Sequence, residues 1–135
     1  MPSPEVIALD SNGYIKFGNY TAAEKIKSDD FEVNGDIYKV KTHSEITRVE
    51  KNGKLLYESV PGTSVQRFSL NEKECGFLID GFENTQVTIE LESETEYKIF
   101  IDDVNIGKSK SNLSSKLSFS VDLHRKPRDI KIERI

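Results

Sequence analysis

Two-residue periodicity constrains this chain more than any other feature. In "TQVTIELES" the apolar positions are Val87, Ile89 and Leu91, while Thr88, Glu90 and Glu92 fill the alternate ones. "EYKIFIDD" repeats the pattern through Tyr97, Ile99 and Ile101, and "KLSFSVDL" through Leu117, Phe119, Val121 and Leu123. The tail "DIKIERI" adds Ile130 and Ile132. Successive side chains on a strand point to opposite faces, so each run reads as a strand with one side on a core and one in water. The second half is therefore all-β.

The first half says the same in shorter phrases. "GYIKF" alternates less cleanly, through Tyr14 and Phe17. Asn34-Gly35 and Asn52-Gly53 each stand between two alternating runs. Asn-Gly favours a type I′ hairpin turn, which needs positive φ at both central residues, so a hairpin is expected at each place. Asp102-Asp103 reads as a further tight turn, between Ile101 and Val104. Pro61-Gly62 marks a turn or a boundary. The one helical candidate is "YTAAEKIKSDD", with Ala22, Ala23 and Ile26 behind Thr21, which is too short to form a turn without tertiary support. The fold expected is all-β: an N-terminal hairpin meander (residues 1–62) and an immunoglobulin-like β-sandwich half (residues 63–135), sharing one core. Much of that core should come from Val87, Ile89, Leu91, Tyr97, Ile99, Ile101, Leu117, Phe119 and Val121.

At 135 residues the chain is long enough to bury one self-sufficient core. A formal charge of −4 argues against a nucleic-acid partner. No apolar run approaches the ~20 residues of a membrane-spanning helix, and no membrane partner is expected. The single cysteine, Cys75, excludes an internal disulfide framework. No secretory leader is apparent in "MPSPEVIALD", and a cytoplasmic location is expected.

The acids of "TIELESETEYKIFID" pose the main functional question. Glu90, Glu92, Glu94 and Glu96 alternate with other residues before Tyr97. A catalytic pair needs carboxylates converging from different segments, and calcium needs an oxygen-rich loop. Alternation points instead to the wet side of a sheet. Leu91, Thr95 and Tyr97 resemble the corner of fibronectin type III and related immunoglobulin-like sandwiches. There a tyrosine at a strand start packs inward, and its hydroxyl bonds to backbone a few residues upstream. The resemblance implies that role for Tyr97.

Other chemistry has little material. Cys75, in "KECGFLID", reads as a buried, inert thiol. His43, Ser44 and Glu45 are consecutive, so on an extended chain they cannot converge as a triad. Neither a metal-ligand spacing nor a phosphate-binding glycine motif occurs, and no metal or other cofactor is expected. His124, Arg125, Lys126 and Arg128, in "DLHRKPRD", form the one compact positive patch of the sequence. They are the candidate ligand patch, against the plainer reading of a solvated loop. Tryptophan, the usual sugar platform, is absent, while Tyr14, Tyr20, Tyr38 and Tyr57 are weaker platforms.

"DFEVNGDIYKVKTHSEITRVEKNGKLLYESVPGTSV" and "ETEYKIFIDDVNIGKSKSNLSSKLSFSVDL" together resemble a group of short bacterial all-β proteins, some of which carry an endosialidase-type name. The resemblance runs from about Tyr14 to Leu123. It brings no catalytic residue with it. Sialidases use a large propeller, a convergent arginine triad and a tyrosine–glutamate pair, and nothing marks three of Arg48, Arg67, Arg125, Arg128 and Arg134 as convergent. The reading is a non-enzymatic binding or scaffolding module with a protein partner or self-association through an edge strand. The alternative is a small carbohydrate-active or sialic-acid-binding protein using Arg125, Arg128 and a surface tyrosine.

Overall fold

The computed structural model describes residues 6–124 and 126–135. Among the described residues all regular structure is β, arranged in two antiparallel sheets. One sheet runs in the order β1 (Ile7–Leu9), β2 (Ile15–Phe17), β7 (Ser64–Leu70), β8 (Glu74–Asp80), β13 (Arg128–Arg134), β10 (Glu96–Ile101) and β11 (Val104–Lys110). The other runs β12 (Lys116–Val121), β9 (Thr85–Glu90), β6 (Lys54–Val60), β5 (Thr47–Lys51), β4 (Asp36–Thr42) and β3 (Ile26–Val33). The sheets pack face to face: Tyr57 of β6 meets Phe17 of β2 and Phe77 of β8 edge-on, with ring centroids 5.0 and 5.8 Å apart. Edge-to-face contact suits the quadrupoles of aromatic rings.

The meander expected near the N-terminus is present as β3–β6, which pair in chain order. Strands from both sides of Pro61-Gly62 nevertheless occur in both sheets, and this dipeptide lies where the chain crosses from β6 to β7. The buried cluster is continuous. Val87, Ile89, Tyr97, Ile99, Leu117, Phe119 and Val121 belong to it, and Leu91 and Ile101 pack half-buried against it.

The turns follow residue chemistry. Asn34 and Gly35 have φ of 51° and 85°, and Asn52 and Gly53 have 52° and 80°. Asp102 and Asp103 make the same kind of turn at 51° and 66°, joining Ile101 to Val104. Asn52 also ties its hairpin to the neighbouring one. Its side chain accepts from the Ile37 N–H at 2.9 Å and donates to Asp36 Oδ1 at 2.9 Å.

The one helical candidate, around Ala22, Ala23 and Ile26, forms no helix. Ile26 instead opens β3 opposite Thr42, and Ala22 is held by a hydrogen bond from Ser44 N at 2.9 Å. A one-turn helix bears the full nucleation penalty, whereas an eight-residue strand gains a ladder and a half-buried face.

The crossing between sheets at β6–β7 is fastened by buried hydroxyls. Thr63 Oγ1 lies 2.7 Å from both Tyr57 OH and Ser59 Oγ. Thr47 Oγ1 accepts from Thr63 N at 3.0 Å, donates to Thr63 O at 2.7 Å, and lies 2.8 Å from Thr42 Oγ1. Gly62 allows this closeness, since a Cβ there would sit 2.0 Å from the His43 carbonyl oxygen. Backbone leaving a ladder near a core has no partner of its own, and short hydroxyl side chains supply one.

Candidate functional site

Two sheets have four margins, and three of them are obstructed. The first, β1, is only three residues long. On β3, Asp29 and Asp30 bulge out opposite Lys39, with Asp30 at φ 59°. On β11, Ile106 is an extra residue between Gly107 and Asn105, the Asn105 side chain accepts from Gly107 N at 2.8 Å, and Lys108 and Lys110 follow. Bulges, brevity and lysines are the usual means by which a sheet edge is kept from pairing.

The fourth margin, β12, has no bulge and is twice as long as β1; its one lysine, Lys116, stands at its first position. It pairs with β9 over six residues without a register shift. Leu117, Phe119 and Val121 point into the core, and Ser118 and Ser120 face water. Charge stands only beside and at the end of this run. Lys116 Nζ binds Glu90 Oε2 at 3.2 Å, and Asp122 Oδ1 binds His124 Nε2 at 2.9 Å.

Of the patch marked in the sequence, Arg128 is engaged within the fold. Arg128 donates through Nη1 to Asp102 Oδ2 at 2.9 Å and through Nε to the Asp122 carbonyl at 3.0 Å. Asp102 also accepts from Asp129 N at 2.9 Å. That backbone bond, then the Arg128 guanidinium, hold the Asp102 carboxyl below the usual range. Arg128 thus clamps the β10–β11 turn onto β13. His124 and Lys126 are exposed on the loop before it, and Arg125 lies outside the described residues.

The acidic stretch forms the wet side of a corner. Glu92, Glu94 and Glu96 are exposed, whereas Tyr97 is buried and its phenol oxygen accepts from Glu92 N at 3.0 Å. Ser111 completes the corner: it donates to the Glu92 carbonyl and accepts from Thr95 N at 3.0 Å. Glu72, Glu74, Glu90 and Glu92 do share a shallow groove of about 340 Å³ floored by Leu91 and Tyr97. Among the described residues, no three acids, histidines or cysteines come together as a metal-binding group.

Cys75 is buried in the core, and loss of solvation pushes its thiol up to about 12. Tyr38 and Tyr57 are buried as well, so neither is a platform. Tyr20 is half-buried with its hydroxyl on Asp80 Oδ2 at 3.2 Å, which leaves Tyr14 as the exposed member of that set.

Register brings together one group that the sequence reading missed. Lys27 of β3 lies opposite Lys41 of β4, which lies opposite Arg48 of β5. These residues are scattered over three phrases of the chain. Only the strand offsets, which the two Asn-Gly turns help to set, place them in one row.

No protein-family model, curated protein or solved structure matches the chain. Among the described residues, no helix is long and apolar enough to cross a membrane.

Proposed function

We propose that this protein is a non-enzymatic scaffolding module that associates with a second copy of itself by pairing β12 edge to edge. The observation that carries the reading is the contrast between β12 and the three obstructed margins. The tyrosine corner at Tyr97 supports an immunoglobulin-like character for the sandwich. A reducing compartment such as the cytoplasm suits its single buried thiol.

Geometry selects a register. Two antiparallel copies related by a two-fold axis must keep apolar residues opposite apolar ones, because a one-residue slip reverses every side chain. With the axis at Phe119, Leu117 faces Val121 of the second copy and Ser118 faces Ser120. Phe119 is the least buried of the three inward residues, at 9% exposure against 0% for Leu117 and 1% for Val121. The same register sets Lys116 opposite Asp122 on both sides of the axis. An axis at Ser118 keeps the faces matched but pairs Lys116 with Ser120, which forgoes the complementary charges.

Sedimentation equilibrium on the wild type, Lys116→Asp, Asp122→Lys and the doubly exchanged variant tests this reading. Either single reversal should weaken the dimer by roughly tenfold, since two exposed pairs at about 0.2–1 kcal/mol each become repulsive. The double exchange should restore association. A strict monomer at high concentration, or a double variant as weak as the singles, removes the proposal.

A further inference from the structure

The row Lys27–Lys41–Arg48 sets three cations side by side on adjacent strands. Directly opposed residues on neighbouring strands hold their Cβ atoms about 5 Å apart, and like charges so placed repel. Arg48 has carboxylate partners in Glu58, at 2.9 Å, and Glu50, at 3.8 Å. Lys27 and Lys41 have none within ion-pair distance among the described residues. Lys41 is also half-buried, flanked on both sides by another cation.

Opposed cations also occur elsewhere, but with an acid beside them: Lys98, opposite Lys108, has Glu133 opposite it on its other side, and Lys51, opposite Lys54, has Asp36 at 3.6 Å. On the other sheet, Lys131 has Glu133 at 2.8 Å and Glu74 at 4.0 Å, and Arg67 has Asp129 at 3.9 Å. The cationic row lies in a groove of about 270 Å³ that also includes Asp29, Lys39 and Glu50. The Asp29–Asp30 bulge in β3 interrupts the ladder beside it.

We infer that this groove on the outer face of β3–β5 is a binding site for a compact polyanion carrying tetrahedral oxyanion groups, phosphate or sulfate. Lys27 and Lys41 supply two unpaired ammonium groups, each with three donors, and Arg48 supplies a planar fork at the end of the row. The groove has room for a small diphosphate or disulfate. It has no aromatic lining, so charge and hydrogen bonding carry recognition rather than stacking on a sugar ring. Asp29 and Glu50 at its borders disfavour anions that approach from those sides. The site does not depend on pairing at β12.

The test is a titration of the ¹⁵N-labelled full chain at low ionic strength with inorganic pyrophosphate, and separately with a disulfated disaccharide. Saturable shifts confined to β3, β4 and β5 are expected with at least one probe, and the two arms distinguish a phosphate from a sulfate source. Lys41→Gln should weaken that binding by about tenfold or more, corresponding to ~1.4 kcal/mol. Lys41→Arg should retain it, and Lys98→Gln, on the other sheet, should leave it unchanged. Thermal unfolding of Lys41→Gln should give a midpoint no lower than wild type, because the substitution removes like-charge repulsion. The inference is overturned if neither probe saturates, if shifts scatter over the surface, or if a folded Lys41→Gln variant binds as tightly as the wild type.

Discussion

Thr63 is the point at which the crossing between sheets is most vulnerable, and Thr63→Val isolates its hydroxyl while keeping its shape. Tyr57, Ser59 and Thr63 are all fully buried, and Thr63 Oγ1 is the shared partner of the Tyr57 and Ser59 hydroxyls at 2.7 Å each. The substitution leaves two polar groups in the core without that partner. A buried hydroxyl deprived of its hydrogen bond costs about 1–3 kcal/mol. The expectation is about 2 kcal/mol. At roughly 2 kcal/mol per molar urea for a domain of this size, the unfolding midpoint should fall by about 1 M.

The network makes a second, sharper demand. Tyr57→Phe alone should cost about 1 kcal/mol, because it removes one hydroxyl and leaves Ser59 bound to Thr63. Combined with Thr63→Val it should cost less than the sum, since it deletes a group that the first substitution had already orphaned. Coupling of about 1 kcal/mol is expected between residues in such contact. A Thr63→Val midpoint within about 0.2 M of wild type, or strict additivity in the double variant, would refute the reasoning.

Two further predictions concern the bends that set the remaining strands. Tyr97→Phe should destabilise by roughly 1 kcal/mol, read as a lower urea midpoint, because Glu92 N loses its acceptor while Ser111 still holds the rest of the corner. An unchanged midpoint counts against the corner. Asp102→Asn keeps the turn geometry but loses the charge that Arg128 and the Asp129 N–H favour. Because the folded carboxyl lies below its ordinary value, its contribution is complete above about pH 4 and fades as pH falls through the lowered value. The midpoint gap between wild type and Asp102→Asn should therefore be wider at about pH 6 than in strong acid; a gap independent of pH contradicts the clamp.

What the sequence made legible was local. Alternation through Val87 to Leu91 and Leu117 to Leu123 told which side of each strand faces the core, since that property needs only a strand's own residues. The two Asn-Gly dipeptides told where hairpins turn, since the αL backbone they need is a property of those residues. Tyr97 was legible because its bond reaches only five residues back, to Glu92. Arg128 was not, because its partner Asp102 lies 26 residues away and becomes a neighbour only when β13 docks on β10. Of the cations clustered in "DLHRKPRD", Arg128 is thus tied into the fold, while Lys27, Lys41 and Arg48 are dispersed in the chain and adjacent in space.

The two proposed surfaces share a sheet, and that has a geometric consequence. Pairing about an axis at Phe119 sets Ser118 against Ser120, so the outward side of one copy continues as the outward side of the next. The row that begins at Lys27, Lys41 and Arg48 passes through Glu58 and Thr88 to Ser118 on β12. Arg48 and Ser118 are separated by three strand spacings of about 4.8 Å, or roughly 14 Å. Across the pair, the two arginine rows are then separated by about seven spacings, on the order of 34 Å, on one continuous face. A short diphosphate cannot span that distance, whereas an extended polyanion can. Self-association would therefore leave affinity for the small probe unchanged and raise it for a long one, through effective concentration alone. Charge reversal at Lys116 or Asp122 would remove that gain without touching the groove.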